Sequence, residues 1–76
     1  LGESALFNNT TAGNNTAVGY QALYLNTDGI YNVAIGNYAL DANTVGTRNT
    51  AIGVGSLGAS TGSYNTGIGL IVLGFL

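Results

Sequence analysis

The sequence predicts an all-β chain, a parallel β-solenoid or β-roll of about four 17-residue coils, and three observations predict it. A five-residue phrase returns four times: Asn15-Thr16-Ala17-Val18-Gly19, Asn32-Val33-Ala34-Ile35-Gly36, Asn49-Thr50-Ala51-Ile52-Gly53 and Asn65-Thr66-Gly67-Ile68-Gly69. Its closing glycines are spaced by 17, 17 and 16 residues. Between the phrases lie turn-forming clusters and no apolar pattern long enough for a ten-residue helix.

Starting each repeat at its glycine divides the chain into coils 2–18, 19–35, 36–52 and 53–68 and a partial coil 69–76, one repeat array over residues 1–76. The columns then align. Leu6, Leu23, Leu40 and Leu57 share one position, preceded by Ala5, Ala22, Ala39 and Ser56. Asn9-Thr10, Asn26-Thr27, Asn43-Thr44 and Ser60-Thr61 share another, and read as turn chemistry by composition. The fourth coil is one residue short between Thr61 and Gly62, in a turn, where a deletion is least disruptive.

Within the phrase, side chains alternate between two faces of a strand. Thr50 and Ile52 share one face, Asn49 and Ala51 the other. Valine at position 33, where the other coils have threonine, leads us to expect the Thr/Ile face to point inward. The expected core is therefore Val18, Ile35, Ile52 and Ile68 together with Leu6, Leu23, Leu40 and Leu57. In-register stacking, at about 4.8 Å per coil, turns Asn15, Asn32, Asn49 and Asn65 into a structural ladder of amides. Residues 20–25 and their equivalents fit either a second short strand or a single helical turn.

Only Glu3, Asp28, Asp41 and Arg48 are charged, and the formal net charge is −2. One arginine cannot supply the row of phosphate contacts that nucleic acid requires, so no nucleic-acid partner is expected. Cysteine is absent, so the redox compartment cannot be read. The apolar stretch 68–76 is too short to cross a bilayer, and no membrane insertion is expected. The missing initial Met and the incomplete last repeat lead us to expect a longer parent protein. The apolar spine of one coil is thin, and at about 25 cal/mol per Å² it scarcely offsets the ordering entropy of a coil. A parallel homotrimer, with further copies covering the outside of each roll, is the economical remedy.

The run Asn49-Thr50-Ala51-Ile52-Gly53-Val54-Gly55-Ser56-Leu57-Gly58-Ala59, followed by Gly62-Ser63-Tyr64-Asn65-Thr66-Gly67-Ile68-Gly69, resembles the head repeats of trimeric autotransporter adhesins. The rows holding Gly19-Tyr20-Gln21-Ala22-Leu23-Tyr24 and Asn26-Thr27 are similar to repeats of phage tail-fibre and bacterial surface proteins. The resemblance covers essentially the whole chain. It implies trimeric, left-handed parallel β-rolls and an extracellular, cell-surface or virion location. The coils here are longer than the usual adhesin head repeat, and Leu70-Ile71-Val72 replaces a Tyr-Gln-Ala.

Catalytic chemistry finds little to work with. Gly53-Val54-Gly55-Ser56-Leu57-Gly58 is formally G-x-G-x-x-G, but a dinucleotide site needs a long helix after it and an acid about 20 residues on. Leucine stands at position 73, so no cofactor is expected. The three acids occupy different columns and do not converge as an acid/base pair. Histidine and cysteine are both absent, which removes the usual nucleophile–base arrangements and the usual metal ligands. The chain is not expected to be an enzyme.

Two features invite binding. Tyr20, Tyr24 and Tyr38, with Phe7, flank the leucine column; an adhesin would stack such rings on sugar faces, whereas a plain rod would bury them between chains. Burial is the favoured expectation. The column Asn14, Tyr31, Arg48, Tyr64 places a guanidinium between two phenol rings. A solvated arginine is the simpler reading and a Tyr–Arg–Tyr sandwich the sharper one. We expect a rigid, non-enzymatic trimeric spacer in a fibre. The alternatives are a head that binds a glycan or cell-surface receptor, and a subunit adding end to end into a filament.

Overall fold

A computed structural model describes residues 2–9 and 12–70; the apolar stretch from position 71 onward lies outside them. The described chain is all-β and holds four short strands: β1 (Thr16–Val18), β2 (Val33–Ile35), β3 (Thr50–Ile52) and β4 (Thr66–Ile68). They form one parallel sheet in the order β1-β2-β3-β4. The register is that of the repeat: Ala17 pairs with Ala34, Ala34 with Ala51, and Ala51 with Gly67. Ile35 pairs with Ile52, so like residues of adjacent repeats are neighbours. This is consistent with a parallel β-roll.

The connections are built from turns rather than from a strand or a helical turn. In residues 19–26, Ala22 N donates to Gly19 O, Tyr24 N to Gln21 O and Asn26 N to Leu23 O, three overlapping four-residue turns. The third residues of the first two, Gln21 and Leu23, have φ of 57° and 53°. That is type II geometry, and positive φ at alternate residues excludes a right-handed helical turn. Tyr38 and Leu40 repeat the pattern at 64° and 51°, as do Gly55 and Leu57 at 70° and 52°. An L-residue held there costs roughly 1–2 kcal/mol. Two such residues cost a turn roughly 2–4 kcal/mol, and full burial of its leucine, worth about 1.5–3 kcal/mol, offsets much of that.

The turns are also tied repeat to repeat. Leu6 N donates to Ala22 O, Leu23 N to Ala39 O and Leu40 N to Ser56 O, at 2.9–3.0 Å. On the other side of the turn Tyr38 N reaches Tyr20 O and Gly55 N reaches Asn37 O, both at 2.8 Å. The glycine that closes each strand is required sterically. Gly19 and Gly36 have φ of 126° and 129°, and a Cβ on either would lie 2.6 Å from the carbonyl carbon of the glycine one repeat on.

The core corrects the expected strand face. Ala17, Ala34 and Ala51 point inward and are buried, together with Ala22, Ala39, Leu23, Leu40 and Leu57. Ala5 and Leu6 pack against them at the first repeat. Val18, Ile35, Ile52 and Ile68 point outward and are exposed, Ile68 most of all. The leucines already fill the space between the turns and the sheet, leaving room for one methyl per strand.

The last repeat shows how tight that space is. Here Ser56 replaces the alanine of the turn and Gly67 the alanine of the strand, so one side chain grows as the other shrinks. Ser56 Oγ donates to Gly67 O at 2.8 Å. A Cβ on Gly67 would meet Leu57 Cγ at 2.9 Å and Ser56 Oγ at 3.0 Å. Gly67→Ala alone is expected to destabilise the chain by about 1–3 kcal/mol through overpacking. Adding Ser56→Ala, which restores the Ala/Ala pair of the other repeats, should recover part of that loss in urea unfolding. Strictly additive effects would refute the compensation.

Candidate functional site

Three groups of side chains stand out in the structure. The first is the outward face of the sheet, where Val18, Ile35, Ile52 and Ile68 form one row and Thr16, Val33, Thr50 and Thr66 another. The strand register sets each row in line. Val18, Ile35 and Ile52 are each a little over a third exposed, which leaves a contiguous β-branched apolar stripe on the surface.

The second is a pair of asparagine columns. The Oδ1 of Asn15, Asn32 and Asn49 accepts from the backbone N–H of Asn32, Asn49 and Asn65 at 2.9–3.0 Å. A direct amide-to-amide bond, Asn49 Nδ2 to Asn32 Oδ1, measures 3.1 Å. The amide nitrogens of Asn15, Asn32 and Asn49 donate chiefly to the turn carbonyls of Gly29, Gly46 and Gly62. The ladder thus runs mainly from side chain to backbone, rather than from amide to amide as sequence alone suggested.

A second ladder went unread in the sequence. Asn26 Nδ2 donates to Asn9 Oδ1 at 2.8 Å and Asn43 Nδ2 to Asn26 Oδ1 at 3.0 Å. The same amides donate to Gly29 O and Gly46 O, so each of those carbonyls accepts from one member of each column. The column itself, Asn9, Asn26 and Asn43, is visible in the alignment, but it reads there as turn chemistry rather than as a ladder. The column ends at Ser60, which has no amide, and Asn43 Oδ1 is left buried without a partner.

The third group is aromatic. Phe7 stacks on Tyr24, with centroids 5.4 Å apart and planes 10° from parallel, and Tyr20 meets Tyr38 edge-on at 5.5 Å. Phe7, Tyr20 and Tyr38 are exposed, while Tyr24 is half-buried. Elsewhere, Arg48 Cζ lies 5.0 Å from the Tyr31 centroid and 5.9 Å from that of Tyr64. Both distances fall within cation–π range, so the arginine is flanked by both rings.

The titratable groups form no constellation. Among the described residues no three of His, Cys, Asp and Glu gather where they could hold a metal ion, and no helix is long and apolar enough to cross a membrane. Partial burial raises the Asp41 carboxyl above its ordinary range, opposed by a backbone hydrogen bond. Comparison with known proteins returns no matching family model, curated protein or solved structure. The functional reading therefore rests on the outward sheet face and the exposed aromatic side chains.

Ser60→Asn tests the second ladder. An amide at position 60 can donate to Asn43 Oδ1 and extend the column by one member. A satisfied buried acceptor is worth about 1 kcal/mol, so the thermal midpoint should rise. A lowered midpoint would show that the shortened turn has no room for the amide.

Proposed function

We propose that this chain is a rigid, non-enzymatic segment of an extracellular or virion fibre: a parallel β-solenoid that assembles as a trimer through the outward face of its sheet. The observation that carries this reading is the stripe of Val18, Ile35, Ile52 and Ile68 beside Thr16, Val33, Thr50 and Thr66. A flat row of β-branched side chains in strand register suits packing against another sheet at about 10 Å. The leucines are already inside each chain, so the material for lateral contact is the isoleucine face. The small alanine-and-leucine core argues in the same direction, because a chain of this size gains much of its stability from added buried surface. The resemblance to adhesin and tail-fibre repeats supports the location and the trimer.

A second reading, a head that binds a glycan or receptor, draws on the aromatic pairs. Phe7 is 65% exposed while stacked on Tyr24, and Tyr20 and Tyr38 present their rings to solvent. Such rings stack on the apolar face of a sugar, whereas a plain spacer has no use for them unless a neighbouring chain covers them. End-to-end addition into a filament is a third mode, open to any sheet whose edge strands are unpaired.

Sedimentation equilibrium of the 76-residue chain separates these modes. The trimer reading predicts a mass three times the 7.6 kDa of one chain. Ile35→Asp with Ile52→Asp should reduce it to a monomer, and Ile52→Thr, which keeps strand propensity, should weaken association without unfolding. A monomer at every concentration would contradict the reading, and an unlimited series of masses would favour the filament.

A further inference from the structure

We infer that Arg48, framed by Tyr31 and Tyr64, is a binding site for the carboxylate of an acidic sugar, a uronic acid unit of a polysaccharide. The site belongs to a single chain and is independent of the spacer role and of any trimer.

Arg48 is the only cation of an acidic chain, and no ion pair forms on it among the described residues. Its backbone is nevertheless held in place. The backbone has a φ of 57° and its N–H donates to Ile30 O at 3.1 Å, while Tyr64 N donates to Thr47 O at 3.0 Å. The shared column places Tyr31 one repeat before Arg48 and Tyr64 one repeat after it, with ring centroids 5.0 Å and 5.9 Å from Cζ. Cation–π contact engages the ring faces and consumes none of the guanidinium N–H donors, and Arg48 is exposed. A held backbone and two ring contacts restrict the side chain, and freedom restricted beforehand is freedom that binding need not remove.

The ligand class follows from the charge count. A planar carboxylate takes two parallel N–H···O bonds from one guanidinium and is neutralised by it. A phosphate dianion needs a second cation, and the chain has none while carrying a net charge of −2. Tyr31 is 49% exposed and Tyr64 74%, so ring surface and phenol hydroxyls remain beside the fork. Those groups suit a pyranose, which offers C–H faces and hydroxyls next to its carboxylate. One exposed pair of this kind is weak, with a Kd on the order of millimolar, and a polymer bearing one acid per unit would gain by avidity.

The test is a ¹H–¹⁵N titration of the full chain with sodium glucuronate, glucose and inorganic phosphate at matched ionic strength. Saturable shifts centred on Tyr31, Arg48 and Tyr64 are expected with glucuronate only, and weaken as salt is raised. Arg48→Gln should lower the affinity about tenfold or more. Arg48→Lys, which keeps the charge and lacks the fork, should lower it several-fold and guards against misfolding of the glutamine variant. The inference is overturned if glucuronate gives no saturable shift, if glucose or phosphate binds as well, or if Arg48→Lys binds as the native chain does.

Discussion

The structure depends on buried asparagine amides that hold each repeat at a fixed height above the last. An asparagine offers one acceptor and two donors on a short stem, enough to reach up to a backbone N–H and sideways to a turn carbonyl at once. Asn32 does both, receiving Asn49 N at its Oδ1 and donating to Gly46 O. Gly46 O in turn receives Asn43 from the second column, so strand entry and turn are clasped through one carbonyl. Asn26, Asn32, Asn43 and Asn49 are fully buried. Left without partners, such groups would each cost on the order of 1–3 kcal/mol, which makes any other register expensive. Hydrophobic burial supplies cohesion here, and the amides supply the alignment.

That alignment explains the rest of the repeat. With height fixed, the leucine accepts a left-handed backbone conformation because it is fully buried there, and the strand contributes only a methyl to the interior. The bulky β-branched residues have nowhere to go but out. The apolar stripe on the surface is therefore a consequence of how little room the interior leaves, and it is also the feature that makes lateral assembly of several copies the economical proposal.

Much of this was legible in the sequence. The period gave the strand positions, the parallel order and the pairing of like residues, because a fixed spacing leaves one register that stacks every column at once. The leucine column was legible as core for the same reason. The strand face was misjudged because valine at position 33 was weighed more heavily than the small residue at 17, 34, 51 and 67. A column that admits only alanine or glycine is a volume limit, and it marks the inward side. The type II turns were hidden because Gln21, Leu23, Tyr38 and Leu40 are not residues that announce positive φ. Only the glycine at position 55 hints at it. The second asparagine ladder was hidden by its neighbours, since Asn-Thr before glycine is ordinary turn composition. The flanking of Arg48 by Tyr31 and Tyr64 needed only the column alignment.

Native-state hydrogen exchange at the backbone amides of Asn32, Asn49 and Asn65 bears on this account most directly. Each of these N–H groups donates to an asparagine side chain one repeat earlier. If the side-chain ladder fixes the register, Asn32 and Asn49 will exchange as slowly as the strand amides of Val33 and Thr50, by global unfolding alone. Exchange of these amides at loop rates, while the strands stay protected, would show that the sheet aligns itself and the asparagines merely follow.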